Sequence, residues 1–304
     1  MAIYVVGHKS PDTDSVASAI AYAALRKAQG VDAVPVCQGA LNPETALVLK
    51  QFGFAAPEVM TDAAGKKIML VDFSDIAQGP ANMTDVVEVV DHHKIGDVTT
   101  NSPIFFYAKP VGCTCTVINE IYKTSGVAID KKVAGIMTAA ILSDTVNFKS
   151  PTCTPEDKAA VKELAAIAGI SDTDALFMEM LKAKSAIDGI PVKDLLYRDY
   201  KDFDMNGKKV GIGQLELATI DQAAKVRADL VKALEGLKAE GRHSVLFMLT
   251  DVVKEGTDLL VVSEDPALIE KAFNAKLSGG AMWVPGMMSR KKQTVPPLQK
   301  AFGC

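Results

Sequence analysis

Four segments of this chain share one pattern, an apolar run that stops on a histidine or a carboxylate. They are IYVVG before His8, IMLV before Asp72, VEVV before Asp91, His92 and His93, and AAILS before Asp144. Short aliphatic runs without polar alternation suit strands buried on both faces, the hallmark of parallel sheets. Longer stretches of helical spacing separate them, so the first part of the chain reads as repeated strand–helix units. In an open parallel sheet, ligands bind beyond the carboxyl ends of the strands. If these runs lie side by side, His8, Asp12, Asp14, Asp72, Asp91, His92, His93 and Asp144 converge there. Asp144 leaves either a strand or the end of a helix, and can face the same cleft in both cases.

Strands are expected at 2–6, 32–39, 67–72 and 86–91. Helices are expected at 15–28 (with Asp14 or Ser15 as N-cap), 43–53, 114–125, 131–142 and 155–168, the last running from a Thr154 cap to a stop at Gly169. The pattern shifts at 184–200, a mixed polar stretch with Gly189 and Pro191 that reads as the start of a linker. Beyond it, strands at 208–217, 243–253 and 258–263 and helices at 221–240 and 265–273 form a second, smaller α/β unit. The expected layout is therefore a parallel-sheet catalytic domain at 1–186, a linker at 187–194 and a C-terminal α/β domain at 195–304. A length of 304 residues suits two ordinary domains.

Five carboxylates in the acidic loops repel one another unless cations sit between them. Two divalent metals about 3.5–4 Å apart satisfy such a set. Carboxylate mixed with imidazole suits Mn, Co, Fe or Zn better than Mg, and the absence of cysteine from these loops points away from structural zinc. A single aspartate after a strand is ordinarily a turn or helix-cap residue. The histidines decide the matter: of four in the chain, His8, His92 and His93 lie in two of these loops, and only His243 reads as structural.

Other function classes recede. No apolar stretch reaches the ~18–20 residues of a membrane span, and the N-terminus lacks the basic start of a signal peptide. The five cysteines are odd in number and scattered, as reduced cytoplasmic thiols are. Cys113 and Cys115 read as core thiols, since C-x-C without a second pair is a poor zinc signature. A net charge of −4 and a single tryptophan disfavour a nucleic-acid channel. One basic run stands out, MMSRKKQTVPP at 287–297, where Arg290 and Lys291 offer a planar fork and a point charge suited to phosphate. A metal cluster on one domain and a phosphate clamp on the other suggest a phosphoryl substrate held in the cleft between them.

The stretches GHKSPDTDS (7–15), VDFSD (71–75), VDHHK (90–94), LSDT (142–145) and SRKKQ (289–293) occur in that order. On them the whole chain resembles the family II inorganic pyrophosphatases of the DHH phosphoesterase superfamily. The resemblance implies hydrolysis of pyrophosphate to two orthophosphates by a metal-bridged hydroxide. It implies one Mn(II) held by His8, Asp12 and Asp72 and a second held by Asp14, Asp72, His92 and Asp144, with Co(II) a possible substitute and further Mg(II) or Mn(II) arriving with the substrate. Asp91 then orients a histidine, His93 faces the leaving group, and Arg290, Lys291 and Lys201 hold phosphate. A homodimer through the N-terminal domain is also implied, and VVEVVD with its neighbours reads as an apolar edge that could serve it. The family's second motif usually reads Asp-His-Asn-Glu, whereas residues 72–75 here read Asp-Phe-Ser-Asp; the ligand aspartate is kept. Exopolyphosphatases and some nucleotide phosphatases of the superfamily, a single-strand-specific nuclease and a non-catalytic metal or phosphate sensor are the alternatives. SRKKQ and the short second domain favour the small substrate.

Overall fold

The computed structural model describes residues 2–150 and 152–304. Among them the chain divides into two compact units, the first reaching Lys184 and the second beginning at Ser185.

In the first unit the strands are β1 (Ile3–Val6), β2 (Ala33–Cys37), β3 (Glu58–Val59), β4 (Lys67–Val71), β5 (Asp85–Asp91) and β6 (Phe105–Ala108). They form a parallel sheet in the order β3-β2-β1-β4-β5-β6. The helices are α1 (Thr13–Ala28), α2 (Pro43–Phe52), α3 (Thr114–Ser125), α4 (Lys131–Asp144), α5 (Pro155–Ala168) and α6 (Thr173–Lys184). Strand residues alternate between two cores, as the period of two demands. Val5, Met69, Val71 and Val90 join the large helix-covered core. Val6, Ile68, Leu70 and Val89 join a smaller one, sealed by loop residues such as Met60, Ala63 and Phe73.

The strand order reverses between β1 and β4, which lie side by side at the centre. Such a switch point opens a crevice at the carboxyl ends of the strands, and His8 and Asp72 leave β1 and β4 there. VVEVVD is not an edge, contrary to the expectation: β5 lies between β4 and β6, and the edge on that side is β6, with Phe105 and Phe106 exposed.

The second unit contains α7 (Val192–Tyr197), β7 (Tyr200–Met205), β8 (Lys208–Leu217), α8 (Arg227–Ala239), β9 (Ser244–Asp251), β10 (Gly256–Ser263), α9 (Pro266–Phe273), β11 (Ala281–Pro285) and α10 (Val295–Phe302). The sheet order is β11-β10-β9-β8-β7, antiparallel except between β8 and β9. The stretch 187–194 supplies buried Ile187 to this unit's core and begins α7 at Val192. The helix expected at 221–240 is broken. A capping box between Thr219 and Gln222 closes a short 3₁₀ turn, and α8 starts only at Arg227.

Candidate metal centre

The site is assembled at the start of α1. Its N-cap is Asp12, two residues before Asp14 and three before Ser15, the expected caps: Asp12 Oδ1 accepts from Ser15 N at 2.9 Å. The other oxygen, Oδ2, lies 3.5 Å from His8 Nε2. Gly7 permits this approach of β1 to α1, because a Cβ there would sit 1.9 Å from Ser15 Oγ. Asp14 falls in the first helical turn, fully buried. Its carboxylate accepts from Ser18 Oγ at 2.9 Å, Thr114 N at 2.7 Å and Cys115 N at 3.1 Å. The α3 N-terminus has no side-chain cap of its own from Cys113. Asp14 fills that role from 100 residues away in sequence.

Asp72 follows β4 with φ of 68°, a left-handed conformation that aspartate tolerates better than most residues. This turns its carboxylate among the histidines. Oδ2 is 3.2 Å from His8 Nε2, and Oδ1 is 3.4 Å from His92 Nε2. Thr114 Oγ1 donates to Oδ1 at 3.0 Å, a contact that sequence reasoning missed; GCTCT opening a helix was its only local sign. Asp144 ends α4, two residues beyond the expected stop, so it reaches the cluster from a helix.

The imidazole tautomers are set by carbonyl partners, which can only accept. His8 Nδ1 donates to Lys9 O at 2.7 Å, and His92 Nδ1 donates to Val111 O at 2.9 Å. Both Nε2 atoms are thereby turned to the carboxylates, the arrangement that metal-binding histidines use. Ligand atoms of His8, Asp12 and Asp72 lie within 4.8 Å of one another, as do those of Asp14, His92 and Asp144. A grouping of Asp72 with His92 and His93 meets the same distance.

The electrostatics ask for positive charge. Burial opposes charging of His8, yet the hydrogen bonds and attraction of Asp12 and Asp72 push its pKa up to about 11. His92 is likewise pushed up to about 9 against its burial, by Asp72 and Asp14. Asp144 is driven well above the carboxylate range by burial and by repulsion from Asp14, Asp72 and Asp12. Asp91 Oδ2 is buried without a hydrogen-bond partner. A divalent cation among His8, Asp12 and Asp72 and another among Asp14, His92 and Asp144 would offset the charge gathered on those groups, and their oxygen–nitrogen donor set fits Mn(II).

Asp91 Oδ1 accepts from the backbone N–H of His92 and His93 and from His93 Nδ1, the last at 3.0 Å. This hydrogen bond is the leading cause of the raised His93 pKa. It leaves Nε2 of the half-exposed His93 ring free to face a ligand. A cavity of about 450 Å³ is lined by His8, Asp72, Phe73, Gln78, His93 and Lys94, among others. Phe73 packs into the smaller core at 4 % exposure, and Ser74 Oγ ties the DHH loop through Lys94 O and Gly96 N. Phe73 and Ser74, two of the three departures from the usual motif, thus have structural roles on this side of the sheet. Cys113 and Cys115 are fully buried, and burial raises both thiol pKa values; they lie beside Asp14.

In the second unit the basic run forms a π-helical turn, Arg290–Thr294. Its backbone is fastened by two glutamines. Gln214 Oε1 accepts from Arg290 N and its Nε2 donates to Met288 O; Gln293 Oε1 accepts from Met288 N and Ser289 N. The Arg290 side chain is largely buried, with Nη2 donating to Asp199 Oδ1 at 2.6 Å. Lys291 and Lys201 are exposed, Lys201 on β7.

Residues 2–141 match the DHH family N-terminal domain and residues 178–301 the DHHA2 domain. An Archaeoglobus fulgidus protein named a probable manganese-dependent inorganic pyrophosphatase is 51 % identical over 315 residues, covering 99 % of this chain and 98 % of that protein. The manganese-dependent inorganic pyrophosphatase of Methanothrix thermoacetophila is 48 % identical over 306 residues, covering 99 % and 98 %. The crystal structure of a Methanococcus jannaschii protein assigned to the family II inorganic pyrophosphatases aligns with a TM-score of 0.63 at 44 % identity, covering 99 % of this chain and all of that one. The paired acidic groupings at the sheet's switch point and this end-to-end similarity have one explanation, that the chain belongs to the family II, manganese-dependent inorganic pyrophosphatases.

Proposed function

We propose that this chain hydrolyses inorganic pyrophosphate to two orthophosphates with two divalent cations, Mn(II) by preference and Co(II) as a substitute, and with further Mg(II) or Mn(II) accompanying the substrate. The observation that carries this reading is the convergence of His8, Asp12 and Asp72, and of Asp14, His92 and Asp144, on common points. The first set would hold one cation and the second set the other. Asp72, near both His8 and His92, would serve both. When bound, the cations make a water acidic enough to supply hydroxide near neutral pH and offset the negative charge of the phosphates.

The chain's own residues do the rest. Asp91 orients His93 through Nδ1, so that Nε2 can deliver a proton to the departing phosphate. Arg290 presents a guanidinium fixed by Asp199, and Lys291 and Lys201 add mobile positive charge for phosphate oxygens. The chain acts as a homodimer through the first unit; the exposed Phe105 and Phe106 on edge strand β6 support this. Among the described residues no helix is long and apolar enough to cross a membrane. The reading is of a cytoplasmic enzyme.

The test is phosphate release by metal-stripped protein resupplied with Mn(II), Co(II), Zn(II) or Mg(II), on pyrophosphate, tripolyphosphate and a nucleotide. Rapid Mn- or Co-dependent hydrolysis confined to pyrophosphate is expected. Preference for the longer chain or the nucleotide overturns the substrate and keeps the metal chemistry.

A further inference from the structure

One stretch, residues 111–116, touches three of the six side chains assigned to metal. Val111 O fixes the His92 tautomer, Thr114 N and Cys115 N hold Asp14, and Thr114 Oγ1 holds Asp72. What holds this stretch in place lies on α5. Asp157 is fully buried. Its Oδ2 accepts from Gly112 N at 2.8 Å and its Oδ1 from Thr116 Oγ1 at 2.6 Å, bracketing residues 113–115 from both sides. We propose that Asp157 is a positioning residue for both cation sites, acting through this segment; the proposal rests on the metal reading above.

Capping alone does not account for Asp157. It completes the α5 capping box through Thr154 N and Oγ1, each at 2.7 Å. An exposed side chain at that helix position serves a capping box equally well. The contacts to Gly112 and Thr116, 45 and 41 residues away, add nothing to the cap. Burying a carboxylate costs heavily unless it is fully paired, and here four hydrogen bonds converge on it. Gly112 gives independent support. A Cβ there would lie 2.8 Å from Asp157 Oδ2 and 2.7 Å from Thr145 Cγ2. The segment is therefore wedged between Asp157 and the residue that follows Asp144, another of the six.

The experiment measures Mn(II) affinity of the metal-stripped full chain, by the EPR signal of free Mn(II), beside its thermal stability. Asp157→Ala is expected to weaken Mn(II) binding by about tenfold or more, the range for outer partners of metal ligands. Asp157→Asn, which keeps an oxygen for Gly112 N and gives Thr116 Oγ1 a donor, is expected to restore binding to within about threefold. Thr154→Ala is expected to lower stability through the lost cap while leaving Mn(II) affinity within about twofold. Unchanged affinity in Asp157→Ala, or an equal loss in Thr154→Ala, overturns the proposal. Should Asp157→Ala not fold, Thr116→Val removes only the Oδ1 contact, and wild-type affinity in that variant is the overturning result. His92→Ala separates the two levels: if it too binds Mn(II) like the wild type, the metal reading is at fault rather than the role of Asp157.

Discussion

Replacing Asp72 by asparagine tests the site most sharply, because it moves the stability of the metal-free and the Mn(II)-loaded protein differently. The backbone tolerates the change, since asparagine accepts the left-handed φ of 68°. Without metal, two effects oppose. His8 loses part of a charge-assisted contact at 3.2 Å, worth about 1.5–3 kcal/mol. Against this, one carboxylate leaves a cluster in which Asp72 helps drive the Asp144 pKa upward. At an effective dielectric near 20, unit charges about 4 Å apart interact by roughly 4 kcal/mol, which bounds that relief from above. The metal-free variant should therefore melt within about 2 kcal/mol of the wild type, or roughly 4–8 °C for a unit of this size. With Mn(II) at about a thousand times its dissociation constant, each occupied site stabilises the wild type by about 4 kcal/mol. Asp72 faces both histidines, so its loss should abolish most of that gain. Thermal melts of both proteins with and without Mn(II), beside pyrophosphate turnover, make the comparison. A variant that keeps the full Mn(II)-induced rise in Tm refutes the shared-ligand argument. So does one whose metal-free form fails to fold.

His93→Asn should lower kcat for pyrophosphate by about 10²–10⁴-fold, with Mn(II) affinity nearly unchanged, because the ring is assigned to proton delivery rather than to either cation; titration of Mn(II) beside steady-state kinetics checks both parts. Arg290→Lys should raise KM for pyrophosphate by about tenfold, because lysine cannot keep both the hold on Asp199 and a planar fork for phosphate; initial-rate kinetics decides it. Phe73→His, which restores the usual family residue, should cost about 2 kcal/mol or more by placing an imidazole in an apolar core, visible as a lower Tm with Mn(II) affinity retained. In the second unit, burial opposes the charge of Asp202, but Arg242, Lys209 and Tyr200 hold its pKa below the usual value. A depressed carboxylate stabilises the fold above its unfolded pKa near 4, and that stability is lost as the pH falls further. Asp202 is well exposed, so the contribution stays below about 1 kcal/mol; Asp202→Asn should flatten the acid limb of the second unit's stability curve, followed by circular dichroism against pH.

Strands β1, β2, β4, β5, β8, β9 and β10 and most helices were legible because their signals are local, whereas β3, β6, β7 and β11 were not expected. Unbroken aliphatic runs mark buried parallel strands, and Thr154, Gly53 and Gly169 punctuate helices by hydrogen bonds or left-handed φ within a few residues. The residues proposed for metal were legible for a related reason. All but Asp144, which arrives at the end of α4, follow the carboxyl ends of such runs, and a parallel sheet brings those ends together. The break before α8 was not legible from helical spacing, because a local capping box at Thr219 overrides it.

Tertiary structure decided whatever depends on contacts between distant parts of the chain. The N-cap role of Asp12, the interior place of β5 and the burial of Phe73 follow from how the strands and loops pack. Asp14 caps α3 from 100 residues away, Thr114 reaches Asp72, Asp157 brackets 111–116, and Asp199 takes hold of Arg290. None of these pairs leaves a periodic trace, because periodicity records which face of one element is apolar and says nothing of which polar group meets it across the core. The sequence by itself determined which residues are available for cation chemistry and on which edge they gather. Only the packed structure decided how they are oriented and what keeps them there.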